Sequence, residues 1–235
     1  MPNWCSNSLH ILGDREQLRD FQERVTLTDD DGNKGYSILN ALYPTPKELR
    51  DAVSGHFTEK PNDNWAKLLA NGEITQEWHD ELVERNRKGW EVAQANRAKY
   101  GYSDWYDWCV DKWGTKWGDC DTELHNDASD GHLDMTFQSA WSPPVDGIIE
   151  ISKMFPDLVF MMSWAEEGMD FYGGCAIKNG AHKLSEGEIT SLPEYKEIDW
   201  ESESAYDDFD ALHEAIVEAR EKAEGDALRE LGVTL

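Results

Sequence analysis

The chain has 235 residues, 39% of them hydrophobic and eleven of them Trp, so it can bury a core as one large domain or two small ones and is not a disordered chain, despite a mean hydropathy of −0.71. Forty-eight acidic against twenty-two basic residues leave a net charge of −26, which repels phosphates and disfavours direct nucleic-acid binding. Apolar runs no longer than Leu158–Met162 exclude a membrane span, and MPNWCSNSLHILG lacks the regions of a signal peptide, so a cytoplasmic protein is expected.

Cys5 to Gly13 alternates Leu9 and Ile11 with Ser8 and His10, the pattern of a strand. Asp14 stands where it caps a helix whose Leu18, Phe21 and Val25 fall at helical spacing. Thr28 to Gly35 reads as a loop, and LYPTPKEL at 42–49 as extended chain before a short helix or loop. Residues 62–113 are helical in pattern, with Glu77, Trp78, Leu82, Val83 and Trp90 recurring. Gly72 and Gly89 are the expected breaks, giving two or three helices.

Residues 119–126 and 132–139 read as strands joined by an Asp-Gly turn at Asp127–Gly131. Pro143-Pro144 starts a helix with Val145, Ile148, Ile149 and Met154 on one face, and Phe155-Pro156-Asp157 stops it. Leu158–Trp164 is an apolar strand, Glu166-Glu167-Gly168 a turn, and Asp170–Lys178 a further strand. Ser204 with Asp207 resembles a capping box, after which Phe209, Leu212, Ile216, Ala219 and Ala223 form one apolar stripe on an otherwise acidic helix. This order is the βαββαβ plan of a ferredoxin-like α+β fold, an antiparallel sheet with a helical insertion at about 62–113 and an acidic C-terminal helix. The ferredoxin-like domain is expected over 1–184 and an acidic extension over 185–235.

The charge is uneven along that plan. Residues 1–61 and 62–113 each carry ten acids and seven bases, whereas 114–184 carry twelve and four. Residues 185–235 carry sixteen and four, a net −12 in 51 residues. Such a surface keeps a protein dispersed, and it also attracts a basic partner.

Four blocks carry a resemblance. Met1-Pro-Asn-Trp-Cys-Ser-Asn-Ser-Leu9, Trp113-Gly-Thr-Lys-Trp117, Phe137-Gln-Ser-Ala-Trp-Ser-Pro-Pro144 and Trp164-Ala-Glu-Glu-Gly-Met-Asp-Phe171 resemble, in order, motifs of the YubB-type ferredoxin-like domain family of plasmids and phages. The resemblance spans roughly residues 1–180 and leaves the acidic helix outside it. It implies a ferredoxin-like fold, a mobile-element setting in bacterial cells, no iron–sulfur cluster and no catalytic residues. Cys5, Cys109, Cys120 and Cys175 agree with that on their own, being scattered without cluster spacing or a C-x-x-C pair, and read as thiols.

Several constellations are candidate sites. His125 and His132, with Asp121, Asp127, Asp130 and Asp134, lack a metal-loop pattern and read as a solvated acidic hairpin. Cys109 among tryptophans reads as a small buried hydrophobe rather than a nucleophile. Glu166 and Glu167 are adjacent, so a strand sends them to opposite faces. Gly173-Gly174 alone is no phosphate loop. No catalytic, cofactor or metal residues are therefore expected.

The stretch WYDWCVDKWGTKW at 105–117 reads as a packing joint between the insertion and the sheet. An alternative is a ligand or single-strand groove made by Trp105, Trp108, Lys112, Trp113, Lys116 and Trp117. The leading expectation is a non-enzymatic phage or plasmid protein that binds a host protein with a basic surface through its acidic C-terminal region, in the manner of a nucleic-acid mimic that inhibits defence or nucleic-acid-processing machinery. Its contact residues would be Asp199, Glu201, Glu203, Asp207, Asp208, Asp210, Glu214, Glu218 and Glu221.

Overall fold

A computed structural model describes residues 2–28, 31–197 and 205–233, apart from the side chains of 197 and 205–209. The chain divides into two compact units, residues 1–44 with 111–235 (the sheet unit) and residues 45–110 (the helical unit).

The sheet unit begins with β1 (Trp4–Leu12) and α1 (Arg15–Val25). The Asp14 side chain accepts from the Glu16 and Gln17 amides, so the expected cap is in place. A small hairpin of β2 (Thr26–Thr28) and β3 (Lys34–Tyr36) occupies the expected loop, and α2 (Leu39–Leu42) follows. After the helical unit come β4 (Cys120–Leu124), β5 (His132–Ala140), α7 (Val145–Ser152), β6 (Val159–Glu166), β7 (Phe171–Lys178) and β8 (Ala181–Gly187). The chain ends in α8 (Pro193–Glu197) and α9 (Ala205–Leu231).

The six long strands form one antiparallel sheet in the order β4-β5-β1-β6-β7-β8. Its first four strands are the ferredoxin-like set, and β7 and β8 continue it as a meander. The boundary drawn at residue 184 falls inside β8, so the sheet continues into the expected extension.

Pleat periodicity sorts the faces. Cys5, Asn7, Leu9 and Ile11 are buried on one side, with Met135 and Phe137 of β5 and Phe160, Met162 and Trp164 of β6. Leu18 and Phe21 of α1 and Ile148 and Ile151 of α7 belong to that same core. The Phe21 ring meets Phe155 and Phe160 edge-on, at 5.3 and 5.7 Å.

The opposite face is covered only in part, by α9 lying over β6, β7 and β8. Adjacent glycines make this possible. A side chain on Gly173 would strike the Trp164 ring, and one on Gly174 would strike the α9 backbone at Ala223 and Glu224. The pair that carries no weight as a phosphate loop thus lets the sheet be packed closely on both sides.

One buried acid ties this unit together locally. Asp119 accepts from the Ile38 and Leu39 amides at 2.7 and 2.8 Å and from Thr122 Oγ1 at 2.8 Å, holding the start of α2. Burial pushes its carboxyl up, against the pull of those hydrogen bonds.

The helical unit contains α3 (Lys47–Arg50), α4 (Asp63–Ala70), α5 (Gln76–Tyr100) and most of α6 (Trp105–Trp113). Gly72 separates α4 from α5, as expected. Gly89 does not break α5: it lies in mid-helix, where the Phe57 ring occupies the place of a side chain. Polar tethers hold this unit. Asn86 exchanges hydrogen bonds with the Thr58 backbone at 3.1 and 2.8 Å, and Asn96 donates to the Ser103 carbonyl at 2.9 Å. Glu48 accepts from Lys99 Nζ at 2.7 Å and Tyr100 Oη at 2.9 Å.

Candidate functional site

The acidic helix α9 is rich in Ala, Glu and Leu, strong helix formers, and runs unbroken for 27 residues. Leu212, Ile216, Ala223 and Ala227 are buried. Leu212 and Ile216 form a cluster with Ala165 and Ile189, onto which Tyr172, Leu192 and Tyr195 pack. That stripe fixes the rotation of the helix. At about 100° per residue, Asp210, Glu214, Glu218 and Glu221 share an arc of about 80° centred opposite the buried stripe. All four are exposed. They extend along about 17 Å of helix. Asp199, Glu201 and Glu203 lie outside the described residues, as does the cap residue Ser204. Asp207 and Asp208 fall within α9, but their side chains, like that of Phe209, are also outside the description.

The flanks of α9 turn toward the sheet. Arg220 reaches Ser8 Oγ at 3.5 Å, and Glu224 is buried beside Ser163. Burial raises the Glu224 carboxyl pKa, while His10, a Ser163 hydrogen bond and Arg220 pull it back. Neither Arg220 nor Glu224 stands out in the sequence, because what they face is set by the Gly174 contact.

The half of the sheet face that α9 leaves uncovered belongs to β1, β5 and β4. Register places Trp4, Ser6, Ser8 and His10 there beside Gln138, Thr136 and Asp134. Trp4 and Trp117 stand at one end with ring centroids 5.9 Å apart, 41% and 39% exposed, and Lys116 Nζ lies 4.6 Å from the Trp117 ring centre. At the other end Asp134 bonds His10 and lies 3.1 Å from His132. Beside Trp4 a cleft of about 270 Å³ opens against α9, lined by Ser6, His213, Ile216, Val217 and Arg220 among others. Trp4 is the member of this surface that the sequence reading missed, although it stands in the MPNWCSNSL block.

Two tryptophans of the expected Trp-rich groove, Trp108 and Trp113, are buried. Trp113 donates Nε1 to the Tyr43 carbonyl at 2.9 Å and packs closely against Gly118 and Gly147. Thr115 is buried too, donating to the Ala140 carbonyl at 2.8 Å. Trp117 is exposed and Lys116 is half-buried. Lys112 lies beside Asp111 at 2.9 Å. Trp105 and Trp108 fall in the helical unit, Trp108 buried and Trp105 half-buried. Within the WGTKW block, packing takes Trp113 and Thr115 and leaves Trp117 facing solvent.

The remaining candidates are accounted for by local contacts. Cys109 is buried 3.4 Å from Thr45 Oγ1, and burial raises its thiol pKa. Burial also raises Cys120 and Cys175, and pushes Cys5 up to about 12. A nucleophilic thiol needs the opposite shift. Glu166 is buried and accepts from the Gly168 amide at 3.0 Å, while Glu167 is exposed, 4.0 Å from His213. His125 pairs with Thr136 Oγ1 at 2.7 Å, and Asp127 and Asp130 form a capping box around a 3-10 turn. Among the described residues no three His, Cys, Asp or Glu side chains are grouped to hold a metal. Among them too, no helix is long and apolar enough to cross a membrane.

Comparison with known proteins adds one assignment. Residues 112–215 match the family described as "Ferredoxin-like domain in Api92-like protein". The chain carries a ferredoxin-like domain. The matched span runs from the end of α6 into the first part of α9, so it includes Asp210 and Glu214 and stops before Glu218 and Glu221. No curated protein matches the sequence. The crystal structure of a protein api92 from Yersinia pseudotuberculosis is similar, with a TM-score of 0.43 and 13% identity over 82% of this chain and 100% of that one.

Proposed function

We propose that the protein is a non-enzymatic binding protein that captures a host protein with a basic surface, using the outer face of α9. The observation carrying this reading is the arc of Asp210, Glu214, Glu218 and Glu221, exposed on a helix whose opposite stripe is anchored on the sheet. An anchored helix presents its carboxylates without the entropy cost of ordering a free tail. The four motif blocks that resemble the YubB-type family support a plasmid or phage setting and action in the host cytoplasm. Nucleic-acid mimicry is the finer form of the proposal. The stripe places a charge about every 5–6 Å, sparser than the roughly 3.4 Å per phosphate along one strand of a duplex, so a faithful mimic needs further acids beyond this stripe.

The test is a tagged pull-down from bacterial lysate at low and high salt, with captured proteins identified by mass spectrometry. The expected result is a basic protein retained at low salt, released at high salt, and absent when Asp210→Asn, Glu214→Gln, Glu218→Gln and Glu221→Gln are combined. Capture indifferent to salt and to those changes would refute the proposal, since exposed charges are screened over about 8 Å at physiological ionic strength.

A second reading rests on Trp4, Trp117 and Lys116 beside the open sheet face, an arrangement suited to stacking a base next to a phosphate. Titrating tryptophan fluorescence with a short oligonucleotide separates the two. Quenching that is lost in Trp117→Ala and kept in the α9 variant favours this reading, and an unchanged signal removes it.

A further inference from the structure

The helical unit holds a cleft of about 1060 Å³, lined from the 51–57 segment, from α5 and from Ser103-Asp104. Its two ends differ chemically. Val53, Phe57, Gly89, Val92 and Ala93 line one end, where the Phe57 ring rests on Gly89. Val53 and Val92 are 75% and 47% exposed, an unusual placement for branched apolar side chains on a unit with so few buried ones. Toward the N-terminus of α5 the lining becomes Glu77, Asp80, Glu81 and Glu84, and Asp51 adds a further acid.

The charge at this cleft is not a by-product of composition. The helical unit is nearly balanced, with twelve acids and nine bases. Six of those acids, and only Arg85 and Lys88 among the bases, line the cleft. The rest of the unit therefore carries six acids and seven bases, so its negative charge is concentrated here. Four of the six are already engaged: Asp104 is buried and caps α6 through the Tyr106 amide, Glu84 pairs with Arg87 and Lys88, Asp51 lies 3.8 Å from Arg50, and Asp80 is held beside His79 and Gln76. Glu77 and Glu81 are the remaining two, both exposed.

We propose that this cleft is a docking groove for a basic amphipathic segment of a partner protein. Its apolar side chains would enter the Val53–Phe57–Val92 end, and its Lys or Arg side chains would lie along Glu77, Asp80 and Glu81. Charge complementarity selects this occupant: an apolar anchor alone fits one end only, and an acidic peptide meets like charge at the other. The groove lies wholly within the helical unit. Its proposal stands whether or not α9 binds a partner.

The experiment uses the full chain and a fluorescently labelled 18-residue peptide of leucine and lysine patterned as an amphipathic helix. A second peptide has glutamate for lysine, and a third has the lysine composition with the pattern scrambled. Anisotropy is measured for the native protein, for Val53→Glu with Val92→Glu, for Glu77→Lys with Glu81→Lys, and for the fourfold α9 variant. All the altered positions are exposed, and circular dichroism checks that folding is kept. The expected result is binding of the patterned basic peptide at least tenfold tighter than the scrambled one and no binding of the acidic one. Each groove variant should weaken it tenfold or more, and the α9 variant less than threefold. Hydrogen exchange should show protection confined to 51–57 and 77–93. Equal affinity for patterned and scrambled peptides, or loss only in the α9 variant, would overturn the groove. The second of those outcomes would leave the α9 proposal intact.

Discussion

In the sheet unit Leu9, Phe160, Met162 and Trp164 are fully covered, whereas in the helical unit Val53, Trp78 and Val92 are exposed. The charges divide the other way. The sheet unit carries 36 acids and 13 bases, and the helical unit twelve and nine. Each unit meets the cost of ordering by a different route. The sheet unit buries apolar side chains on both faces of β6 and β7, which lets its surface be strongly acidic and still folded. The helical unit relies on Asn86, Asn96 and Glu48 as polar tethers and leaves apolar side chains at a cleft. A unit held that way has surface to spare for a partner.

The largest expected effect comes from the covered core. Trp164→Ala should cost about 3–5 kcal/mol of stability, while Val92→Ser should stay within about 0.5 kcal/mol. Denaturant unfolding measures both, and a Val92→Ser cost near that of Trp164→Ala would erase the contrast. Next is Gly174→Val, which forces a side chain into the α9 backbone at Ala223 and Glu224. A loss of about 1–3 kcal/mol is expected, with Leu212 and Ile216 uncovered. Binding of a hydrophobic dye should rise in this variant, and an unchanged dye signal and melting temperature would show that α9 is not seated there.

The two units should also answer pH in opposite directions. Glu224 and Asp119 have carboxyl pKa values raised by burial, so their contribution is fully present below the ordinary carboxylate range and is lost as pH rises through their folded values. Glu224→Gln should therefore flatten the decline in stability between acidic and neutral pH. In the helical unit, Lys99 beside Glu48 and Arg87 beside Glu84 hold those exposed carboxyls at about 2. Their contribution is present above the unfolded value of about 4.3 and disappears as pH falls toward 2. Hydrogen exchange at pH 3 and pH 6 reads both trends at once. Protection of α5 should fall at pH 3 while that of β6 does not, and a uniform loss would contradict the division.

How much of this was legible in the sequence follows from how local each signal is. The Asp14 cap, the alternation in β1, the apolar run of β6 and the Pro-started α7 need no distant partner, and each is where the pattern places it. β8 was not legible, since AHKLSEG has a single large apolar residue, Leu184, and that residue is 44% exposed. An edge strand of this kind is defined by the hydrogen bonds of β7 rather than by a hydrophobic pattern. Gly89 misled as a helix break because the Phe57 ring that fills its place comes from a segment that precedes both α4 and α5. The buried stripe of α9 was readable, but its seat on Gly174 was not. The consequences of that seat, Glu224 under the helix and Arg220 at Ser8, were hidden with it. The Trp-rich block was divided by packing that spacing alone does not reveal, with Trp113 and Thr115 inward and Trp117 outward.

The smallest expected effect on stability, and the largest on binding, belongs to the outer face of α9. Combining Asp210→Asn, Glu214→Gln, Glu218→Gln and Glu221→Gln should move the melting temperature little, since exposed charges contribute about 0–1 kcal/mol each and these repel one another. The most direct measurement is the salt dependence of the dissociation constant for the captured host protein, compared between the native chain and this fourfold variant. The expected result is a steep weakening with salt in the native chain and a shallow one, from a much weaker starting point, in the variant. Identical slopes and affinities would contradict the assignment of α9 as the recognition face.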